Sequence, residues 1–213
     1  MALRCLLYSS PPVHHRTMIT SDPKPGRRAL VVIDVQRGFD DATWWGTRNN
    51  PDCEKNVKTL VDGFAAEGSP IVLVRHDSGD PESPLHPDRA GNAFKPALDG
   101  VEPALVVPKH VHSAFHGEVD LHAWLRREEI GEILVCGIQT NRCCETTARL
   151  GGDLGYDVGF VIDATHTFDE PAQNGRDALG ADLLAQATAT NLHGHFANVT
   201  TTAEVLGAIP AAG

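Results

Sequence analysis

Cys143 and Cys144 stand side by side in the stretch CGIQTNRCCETTARL, residues 136–150. A thiol that does chemistry needs a base, a favourable charge nearby and donors for an oxyanion. Two other residues could supply the first two. Asp34 follows the apolar run ALVVI, where an unpaired carboxylate would be costly to bury. It is either a loop or helix-capping Asp or a general base with a tuned pKa. Lys109 ends ALVVPK. It is either a solvated lysine on a sheet rim or a cation that pairs with a carboxylate and lowers a thiol's pKa. Thr140 and Asn141 are good capping types for a helix starting near Arg142. Cys143 then falls in the first helical turn, where free N–H groups and the dipole favour a thiolate. Cys144, rotated by about 100°, shares a face with Ala148, Gly151 and Leu154, and reads as a core thiol. Cys136 and Cys53 read as structural.

The elements that must hold these residues follow one rhythm. Apolar runs at 29–35, 70–76, 104–109, 132–138 and 156–163 read as strands buried on both faces. Helical patterns fall at 52–67, 120–129, 142–154 and 177–192, and Gly68 is a plausible C-cap for the first. A short sixth strand and a terminal helical turn fit 197–206. Alternating strands and helices predict an α/β fold: a Rossmann-like parallel sheet of about six strands with helices on both faces. Ligands of such sheets bind at the carboxyl ends of the strands, where Asp34, Lys109 and Cys143 are expected. The polar stretch 77–100 is longer than a mere connection requires.

One domain is expected over 28–213, with residues 1–27 as a flexible, proline-interrupted arm in which Met18 offers a second start. The net charge of -10, without a basic cluster, argues against nucleic acid or an anionic membrane surface. It mildly favours neutral or cationic substrates over anionic ones. No apolar run approaches the ~18 residues of a membrane span. Five irregularly spaced cysteines suggest reduced thiols and a cytoplasmic setting. LGGDLG lies late in a helix and is no dinucleotide fingerprint, so no cofactor is expected. A disulfide between Cys143 and Cys144 would be strained and would break the helix start.

Three blocks, ALVVIDVQRGF, VVPKHVHSAFHG and CGIQTNRCCETTARLGGDLGYDVGFVIDATHTF, resemble the signatures of the isochorismatase-like cysteine hydrolases. The resemblance covers roughly 28–206. It implies a catalytic triad of Asp34, Lys109 and Cys143, with Thr140-Asn141-Arg142-Cys143 matching the family's T-(D/N)-x-C spacing. It also implies a cis peptide between Gln139 and Thr140, and an oxyanion held by backbone N–H groups at Gln139, Thr140 and Cys143. The implied reaction is hydrolysis of a small-molecule C–N amide, carbamoyl or lactam bond through a thioester. True isochorismatases split a vinyl ether without this cysteine. That chemistry and a non-catalytic or redox role for the vicinal pair are the alternatives. Family members are often dimers or tetramers, so a homo-oligomer is expected.

The sequence departs from the family's nicotinamidases, which carry D-W-H-x-x-x-H after the second strand. Here the stretch is RHDSGDPESPLH, and those residues are out of register. His76, Asp77 and His86 could approach a metal, but their spacing fits no common zinc pattern, and no metal is expected. Candidate substrate-binding residues are Gln36, Phe39, Trp44, Trp45, His76, Phe115 and Asn141. His166 reads as either a polar wall or a hydrogen-bonded structural histidine.

Overall fold

The protein is described from a computed structural model over residues 27–207. The expected arm, with Cys5, lies outside the described residues except for Arg27, which instead opens the first strand. Six strands form one parallel sheet: β1 (Arg27–Ile33), β2 (Ile71–His76), β3 (Leu105–Lys109), β4 (Ile130–Ile138), β5 (Asp157–His166) and β6 (Asn198–Thr200). Their order is β3-β2-β1-β4-β5-β6. The chain therefore winds outward from β1 to β3, crosses back to β4, and winds outward again. The crossing leaves a crevice between the carboxyl ends of β1 and β4, where such sheets bind ligands.

Alternate residues of β1 face opposite layers, as the strand's period of two requires. Ala29, Val31 and Ile33 join a core with Leu121, Trp124, Leu125, Cys144, Ala148 and Leu192. These come from α3 (Leu121–Arg127), α4 (Glu145–Asp153), α5 (Ala181–Leu192) and the turn before α4. Leu30 and Val32 face Val57, Leu60, Phe64 and Val205 on the other side. Those belong to α2 (Cys53–Glu67) and α6 (Thr202–Gly207), while α1 (Ala42–Trp45) is a single turn after β1. Gly68 caps α2 at φ +74°, as its sequence position predicted. β3 differs from the expectation of strands buried throughout. As an edge strand, it leaves Val106 37% exposed. Among the described residues no helix is long and apolar enough to cross a membrane.

The long stretch 77–100 is a built strap. It carries two short 3-10 turns, at Ala90–Asn92 and Pro96–Leu98. Its backbone is tied to the chain after β1 by Arg37 N–H to Ala93 O at 2.9 Å and Lys95 N–H to Val35 O at 2.9 Å. Leu85 and Leu98 anchor it in the core.

Candidate active site

Two backbone features shape the crevice. Asp34 follows β1 at φ +51°, a left-handed conformation that is costly for a residue with a side chain. Its N–H is held by Val74 O at 2.9 Å. Gly137, near the end of β4, has φ +120°, and a Cβ there would lie 2.0 Å from Ile33 O. Only glycine lets β4 press this closely on β1.

After β4 the chain forms one π-helical turn, Thr140–Cys144, before α4 begins at Glu145. The expected capping roles therefore do not occur. The Thr140 hydroxyl donates to Thr165 Oγ1 at 2.9 Å, and the Thr167 hydroxyl donates to Asn141 Oδ1. Both side chains are drawn to the end of β5 instead. The N–H groups of Arg142 and Cys144 both donate to Gln139 O at 3.2 Å. The cis peptide is Ile138–Gln139, one bond earlier than the family pattern implied.

The three chemistry-bearing side chains meet. Lys109 and Asp34 are both 0% exposed, and Lys109 Nζ donates to Asp34 Oδ2 at 2.6 Å. The same ammonium lies 3.4 Å from Cys143 Sγ and 3.2 Å from His76 Nδ1. β3 is two strands from β1, a gap of about 10 Å. A long side chain is needed to cross it, and Lys109 does so over the end of β2. An ammonium has no lone pair, so His76 Nδ1 is the acceptor and its proton sits on Nε2. Asp34 Oδ1 is buried with no hydrogen-bond partner among the described residues.

The electrostatics correct the expectation of a resting thiolate. Burial, and then the negative charge of Asp34, push the Cys143 thiol well up, and Lys109 only partly opposes them. The free site therefore holds a neutral thiol. Burial works against the charge on Lys109, but the Asp34 carboxylate opposes it, and the Lys109 pKa lies above the ordinary lysine value. His76 and His112 are both pushed down, by burial first and then by the Lys109 charge. Cys144 is fully buried, and burial pushes its thiol far up, as fits a core residue. Among the described residues, Cys53, Cys136, Cys143 and Cys144 are free thiols. Leu154, expected on the buried face with Cys144, is instead 38% exposed.

A cavity of about 60 Å³ opens at the thiol, lined by Phe39, Trp45, His76, Leu85, His112, Gln139, Arg142 and Cys143. Wider clefts of about 720 and 590 Å³ lie at the amino ends of the strands, and neither contains a cysteine. Of the expected binding residues, Phe39, Trp45 and His76 line the cavity. Gln36 does not. It is fully buried, donating to His76 O at 3.0 Å and Asn92 O at 2.8 Å and accepting from His76 N–H at 2.8 Å, so it ties β1, β2 and the strap together. Trp44 is 45% exposed beside the site. Phe115 packs against the core of the α3–α4 layer and stacks on Tyr156. Asn141 is bound to Thr167 and does not line the cavity. His166 is buried behind the aromatic wall, edge-on to Phe168, and burial pushes it down to about 3. It does not line the cavity, and its Nε2 lies 3.8 Å from Glu54 Oε1, too far for a hydrogen bond.

Three lining residues were not among the sequence candidates: Leu85, His112 and Arg142. Leu85 sits in a loop whose path no local pattern reveals. His112 follows Lys109 by three residues and lies 3.5 Å from Cys143 Sγ through its Nδ1. Arg142 is the neighbour of Cys143 in T-N-R-C, and its position in that motif was the available signal.

His76, Asp77 and His86, for which no metal was expected, do not bring their ligand atoms together among the described residues. Asp77 is held by Arg75 at 2.8 and 2.9 Å and by Asn92 at 2.9 Å, and His86 Nδ1 accepts from Asp88 N–H at 3.2 Å. Possible ligand atoms of Asp34, His76 and Cys143 do lie within 4.8 Å of one another. The Lys109 ammonium, within hydrogen-bonding reach of all three, already supplies the cation there. The donor set therefore does not suit a metal.

Comparison with known proteins bears on the chain as a whole. The profile of a family described as the isochorismatase domain matches residues 28–204. The isochorismatase family protein YrdC of Bacillus subtilis (strain 168) is 33% identical over 182 residues, covering 84% of this chain and 95% of the relative. Nicotinamidase 3 of Arabidopsis thaliana is 31% identical over 165 residues, covering 70% and 78%. A crystal structure of an isochorismatase-family protein from Chromobacterium violaceum ATCC 12472 superposes with a TM-score of 0.80 at 34% identity, covering 89% of this chain and 95% of that one. With nearly all of its sheet and helices matched in this way, the chain belongs to the isochorismatase family of hydrolases.

Proposed function

We propose that the protein is a cysteine amidohydrolase that cleaves the C–N bond of a small amide or carbamoyl compound. One observation carries the reading. A single buried ammonium, Lys109 Nζ, contacts both the Asp34 carboxylate and the Cys143 sulfur. A neutral thiol beside a lysine-held carboxylate is poised for proton transfer at the moment of attack.

Asp34 takes the thiol proton as Sγ bonds to the substrate carbonyl carbon, and Lys109 stabilises the negative charge that develops on sulfur before that bond is complete. The carbonyl oxygen becomes an oxyanion, held by backbone N–H groups of Thr140 and Cys143. Those of Arg142 and Cys144 are already taken up by Gln139 O. The C–N bond breaks, Asp34 returns its proton to the departing nitrogen, and a thioester remains. Water then attacks the thioester as Asp34 accepts a proton from it. The C–S bond breaks, and Asp34 reprotonates the sulfur. Similarity to a relative named nicotinamidase supports an amide as the bond broken.

The test is to trap the intermediate. Small primary amides, with nicotinamide among them, are turned over and quenched in acid. Mass spectrometry should then find the acyl group on the peptide bearing Cys143, removable by hydroxylamine. An acyl group on another residue, or release of product with Cys143 never modified, would sink the reading.

The charge arrangement gives a second expected result. Asp34→Asn removes the negative charge that raises the Cys143 pKa and leaves Lys109, which lowers it. Iodoacetamide should label Cys143 at pH 7 on the order of 10-fold faster in the variant than in the wild type, while amide turnover is lost. Slower or unchanged labelling would show that Asp34 does not hold the thiol in its protonated form.

A further inference from the structure

Resting on the amide reading, we propose that Arg142 receives a carboxylate of the substrate, so that the substrates are small amides bearing a carboxylate a few bonds from the scissile carbonyl, and that Glu170 occupies Arg142 when substrate is absent. Arg142 and Cys143 are consecutive and both line the cavity. Among the described lining residues Arg142 carries the one permanent charge. The Lys109 ammonium is engaged by Asp34.

Size divides the substrate in two. A cavity of about 60 Å³ has room for a handful of waters, each needing roughly 10–15 Å³ on the same measure. It takes an amide head group and little more. The rest of the molecule must lie at the mouth, and the Arg142 side chain, 44% exposed, is at that mouth. A guanidinium offers a planar fork of donors that matches a carboxylate.

Arg142 Nη2 now donates to Glu170 Oε1. Glu170 is presented from outside the sheet by a short antiparallel bridge to Leu179, with N–H to O distances of 2.8 and 3.0 Å. A carboxylate arriving with the substrate can replace that of Glu170 like for like, and a partly exposed ion pair is a weak competitor. The chain's net charge of -10 opposes anions at long range. Contact with Arg142 is short-range and is screened far less than that field.

The experiment uses malonamate, succinamate and glutaramate, each beside its neutral diamide. Two readouts are taken: turnover, and protection of Cys143 from iodoacetamide at pH 9. In the wild type at least one acid should be preferred over its diamide by about 10-fold or more. Arg142→Ala should cut that preference by about 10- to 100-fold. Arg142→Lys should recover part of it, since it keeps the charge and loses the fork. Glu170→Gln should lower KM for the acid several-fold. Equal turnover and equal protection by acids and diamides overturn the carboxylate assignment and leave the amidohydrolase reading standing. Preferential, Arg142-dependent protection without turnover has the opposite meaning: the binding assignment holds and the hydrolase reading fails. Protection by neither member of any pair counts against the carboxylate site.

Discussion

Cys143→Ala should abolish amide turnover, lowering kcat/KM by about 10⁴-fold or more, as loss of a nucleophile does elsewhere. Cys144→Ala should stay within a few-fold of wild type, although it removes a buried core sulfur. The two residues differ by one position and by opposite fates. Cys143 faces the cavity and the Lys109 ammonium, whereas Cys144 joins Ala148 and Leu121 in the core. The comparison is informative because the pair controls for general damage to the turn. A Cys143→Ala enzyme that retained amide turnover would show that the thiol is not the nucleophile. Equal losses in both variants would point to damage to the turn rather than to the loss of a nucleophile.

The second large effect is on stability. Asp34 and Lys109 form a fully buried pair at 2.6 Å. Removing one partner leaves the other charge without compensation, which typically costs about 3–5 kcal/mol. Lys109→Met should therefore lower the urea midpoint sharply. The double variant, Asp34→Asn with Lys109→Met, removes both charges and should recover most of that stability. It should not recover turnover, because neither the base nor the ammonium returns. Urea unfolding of the single variants, the double variant and the wild type gives the coupling energy directly. Additive losses would show that the pair contributes nothing jointly and that each side chain acts alone.

The sheet was legible in the sequence because parallel strands buried on both faces read as unbroken apolar runs, and ALVVI, IVLV and ILVCGI do so. Asp34 and Lys109 stood out as charges closing such runs. The local shape around Cys143 was less legible. Thr140 and Asn141 look like helix caps, and only their bonds to Thr165 and Thr167 of the distant β5 segment turn them away from that role. The same holds for Gln36. Its residue type suggested a ligand-binding amide, and its three hydrogen bonds to residues 40 and 56 positions away made it a structural tie. The thiol's charge state depended on burial, which a motif does not state. For Thr140, Asn141 and Gln36 the missing information was a partner far along the chain.

Lys109 lies at the end of β3, the edge strand, and its charge crosses two strand spacings to reach residues 75 and 34 positions away. The reactive centre is thus assembled across the full width of one half of the sheet. A folding intermediate with β1 and β4 paired but β3 undocked would hold a cysteine and a carboxylate without the cation between them. Such a species would be chemically silent. During synthesis and refolding, the proposed chemistry would therefore switch on only once β3 has docked. Fraying of that strand in the finished protein would switch it off while the sheet around it stayed intact.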